Sequence, residues 1–317
     1  MSAAPLRIGT RASALALWQA RHVAALLAAR PGALPTELVH INTTGDLERE
    51  VPLWQAPGQA FYTREIDRAL LEGRVDVAVH SLKDLPTQLE AGLTLAATLA
   101  RADPRDALVS ASGATLARLP RGARIGTSSL RRRAFLARAR PDAVLLELRG
   151  NVPTRLERLR RGDYDAIVLA AAGLVRLGLE AQVSEYLDPQ EFPPAVSQGV
   201  IGVCARADDA GTLRRLGPLD DRDAHLAASA ERALLRRLEG GCQVPLGALA
   251  TVRDGALTLS ASLCTLDGAR RLSARGQAAA RLEEAIGLGE RLADELLADG
   301  AAELVAAERQ ARAVEEP

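Results

Sequence analysis

The apolar positions of the first hundred residues predict strands and helices in alternation. The predicted elements are a strand at 6–10, a helix from Ser13 to Ala29, a strand at 37–43, a helix at 62–71 and a strand at 74–80. Ser13 has the side chain and the position that cap the first helix. The last strand has valine at every second position, which is typical of a buried strand, and it leads into residues 81–84 (SLKD). Open α/β sheets bind ligands at such strand ends.

A short sequence repeat predicts a second lobe of the same kind. Residues 7–10 and 124–127 both read RIGT, and each copy stands where a predicted strand turns into a helix. Because both copies occupy the same turn, two similar α/β lobes with a cleft explain the repeat better than coincidence. The second lobe is completed by a strand at 143–148, a helix at 152–161 and a strand at 165–170, and an apolar strand at 200–204 is predicted to return to the first lobe.

The pattern changes near Asp220 and predicts a small third domain. Its elements are a helix from Asp220 to Leu238, strands at 246–252, 257–263 and 270–274, and a helix at 280–298. Successive strands between two helices are typical of an antiparallel α+β domain. We therefore predict one α/β lobe at 1–99 with 200–217, a second at 100–199, and an α+β domain at 218–317.

Length and composition agree with several domains in an ordinary globular protein. The chain has 317 residues, of which 48% are hydrophobic and 25% charged, and one hydrophobic core rarely serves so long a chain. No run approaches the roughly 18 apolar residues that cross a bilayer, and residues 1–5 lack the pattern of a signal peptide. We expect a cytoplasmic protein without a membrane partner.

The charge balance argues against a nucleic-acid partner. Forty basic and forty acidic residues cancel, and aromatic residues make up 3% of the chain, so neither a basic surface nor a stacking platform is indicated. Lys83 is the single lysine among the forty basic residues. A site that takes a compact ammonium but not a guanidinium explains this exception, and chance explains it equally well.

Several arginines stand at the turns that follow predicted strands, where backbone amides and guanidinium groups bind anions together. They are Arg11, Arg131, Arg132, Arg149 and Arg155. Solvated helix faces in an arginine-rich chain are the alternative, and we prefer that alternative for Arg158, Arg160 and Arg161. For the turn arginines the two interpretations are balanced on chemistry alone, and the repeated turn favours a substrate with several carboxylates.

One carboxylate and one thiol are the candidate reactive groups. Asp84 follows the third predicted strand, where it is placed to stabilise a cation or to transfer a proton, although many such residues only cap a turn. Cys242 lies in a glycine turn (GGCQVP) and is expected to be an accessible nucleophile. Cys204 and Cys264 lie in apolar strands and are expected to be inert core residues. Three scattered cysteines predict neither a disulfide nor a metal site.

Taken together, these segments resemble the hydroxymethylbilane synthases, a family also called porphobilinogen deaminases, along nearly the whole chain. The matching motifs are at 6–20, 78–84, 126–132, 148–151 and 238–245. Their order and spacing make the resemblance specific. The resemblance implies an α/β fold with two lobes like those of periplasmic binding proteins, a small α+β C-terminal domain, and a monomer.

The resemblance also implies a reaction and a cofactor. Members of the family join four porphobilinogen molecules head to tail, with loss of ammonia, on a dipyrromethane cofactor held by a thioether to the cysteine that matches Cys242. Asp84 matches the carboxylate that stabilises cationic intermediates and serves the proton transfers. The matching cofactor-binding positions are Ser81, Lys83, Asp84, Thr127, Ser128, Ser129, Arg131, Arg132 and Arg155. The matching substrate-binding positions are Arg11, Ser13, Arg149 and Gln198.

The loop at 44–60 departs from the pattern of the family. Lysines and an arginine are frequent there, whereas this chain has Thr44, Gln55 and Gln59, and Tyr62 replaces a common phenylalanine. The departure leaves open how this loop handles intermediates and how fast the reaction proceeds. A non-enzymatic anion-binding module made of the two lobes is the competing hypothesis, but it explains neither the GGCQ turn nor the third domain.

Overall fold

Two compact units make up the chain. The computed structural model describes residues 4–43, 63–238 and 244–306. The first unit comprises residues 1–102 and 199–225, and the second comprises 103–198 and 226–317. The second unit contains the second lobe (103–198) together with the C-terminal domain (from 226).

Strands and helices are interspersed along the chain up to the C-terminal domain. The strands are β1 (Leu6–Thr10), β2 (Thr36–His40), β3 (Val77–Ser81), β4 (Leu93–Thr98), β5 (Asp106–Ser110), β6 (Arg124–Gly126), β7 (Val144–Leu146), β8 (Ala166–Ala170), β9 (Glu185–Tyr186), β10 (Ile201–Arg206), β11 (Leu246–Arg253), β12 (Ala256–Cys264) and β13 (Arg271–Ala279). The helices are α1 (Ala14–Ala28), α2 (Arg64–Leu71), α3 (Leu130–Ala139), α4 (Val152–Arg160), α5 (Ala171–Arg176), α6 (Ala210–Leu216), α7 (Arg222–Arg237) and α8 (Leu282–Ala298). In the part of the chain that the structure describes, no helix is both long enough and apolar enough to cross a membrane.

The first unit is built on a sheet with the order β2-β1-β3-β10-β4. Strand β1 pairs in parallel with β2 and β3, whereas β10 runs antiparallel to β3 and β4. Ile8, Val77 and Val203 are completely buried and form its core with Val23 of α1. The prediction that the strand near 200–204 returns to the first lobe is therefore confirmed.

The second lobe repeats this topology. Its sheet has the order β7-β6-β8-β5-β9, with β6 parallel to β7 and β8, and with β5 antiparallel to β8 and β9. In each sheet the fourth position is taken by an antiparallel strand, which is β10 in the first lobe and β5 in the second. The prediction of two similar α/β lobes is confirmed.

A pair of matched ion pairs explains the arginine of the RIGT repeat. In the first lobe, Nη2 of Arg7 lies 2.7 Å from Oδ1 of Asp76, and the Arg7 backbone amide donates to Oδ2 at 2.9 Å. In the second lobe, Nη2 of Arg124 lies 3.0 Å from Oδ1 of Asp165, and the Arg124 backbone amide donates to Oδ2 at 2.7 Å. Each aspartate precedes the third strand, so each ion pair joins two parallel strands at their amino ends.

The glycine of the repeat is required by close packing. A Cβ atom added to Gly9 would lie 3.1 Å from Cγ2 of Val75, and one added to Gly126 would lie 2.8 Å from Cδ1 of Tyr164. The side chains of Val75 and Tyr164 therefore fill the volume that a larger residue at position 9 or 126 would need.

The C-terminal domain is an antiparallel sheet of β11, β12 and β13 that packs against α7 and α8. Its core includes Leu234, Leu259 and Leu292, all buried. The domain also contacts the second lobe, because the Ala248 amide donates to the Pro194 carbonyl at 2.9 Å. The predicted α+β domain type is confirmed.

The buried cysteines agree with their predicted role in the core. Cys204 lies in β10 and Cys264 at the end of β12, and both side chains are completely buried. The thiol of Cys264 lies 3.7 Å from the carbonyl oxygen of Ala134 in α3. Cys264 therefore helps to pack the C-terminal domain against the second lobe.

Some elements differ from their predicted bounds. Strand β3 begins at Val77 rather than at residue 74, because the Arg74 amide closes the end of α2 by donating to the Ala69 carbonyl at 2.9 Å. Strand β13 extends five residues beyond the predicted end at 274 because its second half carries small and polar residues, which give no apolar signal. Strands β4, β5 and β9 were not predicted.

Candidate functional site

Two turns of the first unit meet at one edge of its sheet. Because β1 and β3 are parallel neighbours, with Ile8 opposite Val77, their carboxyl ends lie at the same edge. This carboxyl edge carries Arg11 and Ser13 after β1, and Ser81, Lys83 and Asp84 at the end of β3. Five of the predicted site residues are therefore grouped in the first unit.

The SLKD turn is anchored from both sides. Ser81 is the last residue of β3, and Leu82–Asp84 form a single 3-10 turn. The Leu82 side chain is completely buried, and its amide donates to the Val200 carbonyl at 3.0 Å. The Ser81 hydroxyl accepts a hydrogen bond of 2.8 Å from Nε2 of Gln19, a buried residue of α1. These contacts fix the backbone from which the half-buried side chains of Lys83 and Asp84 extend.

Asp84 combines a fixed backbone with an uncommitted carboxylate. Its carboxylate has no hydrogen bond or ion pair with any of the residues described by the structure. A carboxylate that only capped a turn would accept a hydrogen bond from a nearby backbone amide. The geometry therefore favours the reactive interpretation of Asp84 over the capping interpretation.

A buried pair of titratable groups lies behind this turn and was not predicted. Nε2 of His80 lies 3.8 Å from Oδ1 of Asp67, and both side chains are almost completely buried. Burial, with a smaller contribution from the positive charge of Arg11, lowers the pKa of His80 to about 4. Burial raises the pKa of Asp67 to about 6. The strand pattern did place a polar residue at position 80, which was the available signal.

Ser13 has the capping role that the sequence predicted. It precedes α1, and its hydroxyl accepts a hydrogen bond of 3.3 Å from the Ala16 amide. Arg11 lies in the same turn and is partly buried. The turn after β1 thus offers a guanidinium beside the amino end of a helix, a combination that suits an anion.

The hydroxyl groups after β6 hold the second lobe's turns together. Ser128 Oγ donates to the Leu148 carbonyl at 2.7 Å and accepts from the Leu148 amide at 3.1 Å, so it joins the turns after β6 and β7. Ser129 caps α3 by accepting from the Arg132 amide at 3.4 Å, and Thr127 accepts from the Ser129 amide at 3.2 Å. These predicted site residues therefore shape the turn.

Arg131 and Arg132 converge on one carboxylate that sequence reasoning missed. Asp106, the first residue of β5, is completely buried. Its Oδ2 accepts from Nη1 of Arg131 at 2.7 Å, and its Oδ1 accepts from Nη2 of Arg132 at 2.8 Å. Oδ1 also accepts from Nε2 of Gln198 at 2.9 Å. We call these four residues the Asp106 cluster.

The electrostatics of the Asp106 cluster are dominated by the two arginines. Burial by itself would raise the pKa of Asp106, but the charges and hydrogen bonds of Arg131 and Arg132 hold it well below its usual range. Burial lowers the pKa of Arg131, which Asp106 partly offsets. Nε of Arg131 is buried and has no hydrogen-bond partner among the residues that the structure describes.

Further guanidinium groups lie at the same edge of the second lobe. Arg149 and Arg155 flank the turn after β7, where Nε of Arg155 donates to the Gly150 carbonyl at 2.7 Å and Asn151 caps α4. Arg176, at the end of the helix that follows β8, was not predicted, and burial lowers its pKa to about 10. By contrast, Arg158, Arg160 and Arg161 form ion pairs with neighbouring acids on an exposed surface, as predicted.

Two of the predicted features lie outside the described residues. Cys242 falls in 239–243, between α7 and β11, and the loop with Thr44, Gln55, Gln59 and Tyr62 falls in 44–62. The described site residues thus form two groups, one at the carboxyl edge of each lobe. Within 4–43, 63–238 and 244–306, no three His, Cys, Asp or Glu side chains are grouped in a way that holds a metal ion.

The fold and the site together define a two-lobed α/β protein with arginine-rich turns that suit a ligand with several carboxylates. Two family models match the chain: "Porphobilinogen deaminase, dipyromethane cofactor binding domain" over residues 6–214, and "Porphobilinogen deaminase, C-terminal domain" over 225–298. The chain belongs to the porphobilinogen deaminase family. The resemblance stated above is confirmed, and with it the transferase class and the dipyrromethane cofactor.

Individual relatives match at full length. The porphobilinogen deaminase of Roseiflexus sp. (strain RS-1) is 53% identical over 302 residues, which cover 95% of this chain and 98% of the relative. That of Syntrophotalea carbinolica is 48% identical over 307 residues, which cover 97% of each chain. Among solved structures, DctP7, a Bordetella pertussis extracytoplasmic solute receptor binding pyroglutamic acid, has a TM-score of 0.42 at 16% identity and covers 75% of this chain and 84% of its own.

Proposed function

We propose that this chain condenses four porphobilinogen molecules head to tail into hydroxymethylbilane, with release of one ammonia for each unit added and consumption of one water, which supplies the hydroxyl group of the product. The proposal is supported by the family match along the chain and by one structural observation. Asp84 stands on a rigid turn beside Lys83, at the edge where the sheet places ligands, and its carboxylate has no hydrogen bond or ion pair with any described residue. A positioned carboxylate is the group that a reaction through cationic pyrroles needs.

Asp84 acts at the stage where positive charge develops. When the aminomethyl group of porphobilinogen takes a proton and leaves as ammonia, the C–N bond breaks and the pyrrole becomes cationic. A pyrrole α-carbon then forms the new C–C bond and afterwards loses its proton. The fixed negative charge of Asp84 stabilises each cation, and its carboxylate accepts and returns the protons near the pyrrole nitrogens.

Each lobe has residues that match the family's cofactor-binding positions. When bound, dipyrromethane supplies the pyrrole α-carbon to which the first substrate unit is joined. We assign its covalent attachment to the thiol of Cys242, in the glycine turn between α7 and β11. The positions that would hold its carboxylates and pyrrole rings are Ser81, Lys83, Asp84, Thr127, Ser128, Ser129, Arg131, Arg132 and Arg155. The buried Nε of Arg131 fits such a group, because it is a donor for which the described part of the chain supplies no acceptor.

The substrate carboxylates are assigned to the remaining turn residues. Arg11 and Arg149 each follow the end of a parallel strand and offer a guanidinium to an anion. Ser13 supports Arg11 by capping α1. Gln198 donates to Asp106 and to the Pro104 carbonyl at 2.7 Å, so its assigned role is to shape the site rather than to bind substrate through its amide nitrogen.

The finer setting of the activity is part of the same proposal. Porphobilinogen is the small-molecule partner, and the chain works in the cytoplasm as a monomer that engages neither membranes nor nucleic acid. Its balanced charge, with forty basic and forty acidic residues, supports the last point, because the chain has no global excess of positive charge that would draw it onto nucleic acid.

Intact-mass spectrometry tests the proposal directly. We expect the purified wild-type chain to carry an added mass equal to dipyrromethane, peptide mapping to place it on Cys242, and Cys242→Ser to lack it. Cys264→Ala is the matched control, because that buried core thiol should be irrelevant to attachment. A folded wild-type protein without the added mass, or with the mass on Cys204 or Cys264, would contradict the proposal.

A further inference from the structure

The Asp106 cluster contains a residue that neither the motif pattern nor the resemblance assigns. Resting on the function proposed above, we propose that Asp106 is a positioning residue for the reaction. It fixes the orientation and the net charge with which Arg131 and Arg132 receive one carboxylate of the anionic ligand.

The geometry holds each guanidinium from two sides. Arg131 donates through Nη1 both to Asp106 and, at 2.7 Å, to the Pro193 carbonyl. Arg132 donates through Nη2 to Asp106 and through Nη1, at 2.9 Å, to the Val168 carbonyl. Because a guanidinium is planar, contacts on two sides fix its plane as well as its position. Loss of the shared carboxylate would leave both groups held on one side.

The charge of the cluster is unbalanced. Two guanidinium groups share one carboxylate, and Gln198 is neutral, so the net charge is one positive unit at a place where Arg131 and Arg132 are 5% and 6% exposed. Throughout the described ranges, no other carboxylate forms a hydrogen bond or an ion pair with either guanidinium. An uncompensated buried charge is unfavourable, and the carboxylate of a bound ligand balances it.

Other ion pairs of the chain show what a purely structural arrangement looks like. Arg124 with Asp165 is a one-to-one pair, and Arg7 and Arg206 are balanced by Asp76 and Asp209, so both arrangements have equal numbers of positive and negative groups and are partly exposed. The Asp106 cluster differs in stoichiometry, in burial and in its place at the carboxyl edge. Within residues 4–43, 63–238 and 244–306, the buried Nε of Arg131 also has no acceptor. These differences indicate that the cluster binds an anion, whose negative charge would balance its net positive charge.

The inference predicts that turnover, rather than folding alone, depends on Asp106. Asp106→Asn keeps the shape of the side chain but raises the net charge of the cluster to two and weakens its acceptor. The arginines then meet the ligand from altered positions, and a displacement of about 1 Å costs about 100-fold in rate. We therefore expect kcat per cofactor-loaded molecule to fall about 100-fold while KM for porphobilinogen changes less than about threefold, because Asp106 does not touch the substrate.

Chemical rescue separates positioning from structure. Asp106→Ala removes the carboxylate and leaves room for a small one, so added formate should raise kcat of this variant in a saturable manner. Formate should leave kcat of Asp165→Ala unchanged. Asp165→Ala is the matched control, because it removes the carboxylate of a structural arginine pair in the same lobe. Its kcat per loaded molecule should stay within about twofold of wild type, since exposed pairs contribute little.

The outcomes distinguish this inference from the proposed function. The fraction of loaded enzyme is measured first, by intact mass, for wild type and every variant. A wild-type chain without dipyrromethane would contradict the proposed function. A loaded wild type with Asp106→Asn turning over normally, or with Asp106→Ala insensitive to formate and reduced only in thermal stability, would overturn the positioning role alone. If Asp106→Ala does not fold, the kcat and KM of Asp106→Asn decide the question.

Discussion

The buried carboxyl group of Asp67 makes a specific prediction about stability and pH. Burial raises its pKa in the folded protein from 3.8 to about 6. In the unfolded chain the group ionises near its ordinary pKa, so the folded state loses stability as pH rises from about 4 to 6. One pKa unit corresponds to about 1.4 kcal/mol, so the folded state is destabilised by up to about 3 kcal/mol above pH 6.

His80 contributes with the opposite dependence on pH. Its pKa is lowered from 6.5 to about 4 in the folded state, chiefly by burial. Below pH 4 the unfolded state is favoured because its histidine is protonated at lower cost, and this penalty disappears as pH rises to 6.5. The two contributions nearly cancel in the wild type. In Asp67→Asn only the histidine contribution remains, so stability should rise between pH 4 and 6.5.

Urea unfolding followed by tryptophan fluorescence measures this effect in the right part of the chain. Both tryptophans, Trp18 and Trp54, fall in residues 1–102. We expect Asp67→Asn to raise the free energy of unfolding at pH 7.5 by up to about 3 kcal/mol. Asp76→Asn, the matched control in the same unit, should lower it by about 1 kcal/mol because it breaks the ion pair with Arg7.

The sign of the change decides the matter. One result would show that burial does not raise the pKa of Asp67 in the folded protein. In that result, Asp67→Asn is less stable than wild type at pH 7.5, and its stability does not depend more strongly on pH between 4 and 6.5. The reasoning from burial would then be refuted.

Three further substitutions test other parts of the structure. Asp84→Asn should keep the cofactor, by intact mass, yet lose about 100-fold or more in ammonia release from porphobilinogen, and normal turnover would remove Asp84 from the mechanism. Gly126→Ala should lower the free energy of unfolding by about 1–3 kcal/mol, measured in urea, because its Cβ would lie 2.8 Å from Tyr164, and unchanged stability would show that the ring moves freely. Glu231→Gln should cost about 1–3 kcal/mol in the same assay, because the buried carboxylate accepts from the Ser197 amide at 2.6 Å, and a neutral effect would show that an amide serves equally well.

The sequence was informative where local pattern and chemistry coincide. The RIGT repeat predicted two lobes because strand, glycine and helix cap are close in sequence. The structure shows the same arginine–aspartate ion pair in both lobes. The valine alternation before SLKD placed Asp84 at a strand end, where the structure has it. Ser13 was recognised as a cap because capping depends on residues three positions apart.

The sequence was silent where partners are distant along the chain. Asp106 meets Arg131 and Arg132 across 25 and 26 positions, and Gln198 across 92, so no local pattern connects them. Asp67 and His80 were missed because their pairing depends on how α2 packs on the sheet. The end of β13 was missed because its alanines and glycine pack by shape, as Gly276 does against Leu288, rather than by hydrophobic mass.

The matched ion pairs of Arg7 with Asp76 and of Arg124 with Asp165 lie away from the turns that carry the predicted site residues. Each ion pair joins the amino ends of two strands. The turns at the carboxyl ends can therefore differ in sequence without destabilising the sheet. The turns of the first lobe carry Asp84 beside Lys83, the single lysine of the chain, whereas those of the second lobe carry several arginines. A duplicated framework can thus carry different chemistry in each lobe, and grafting turns between the lobes should leave each sheet intact.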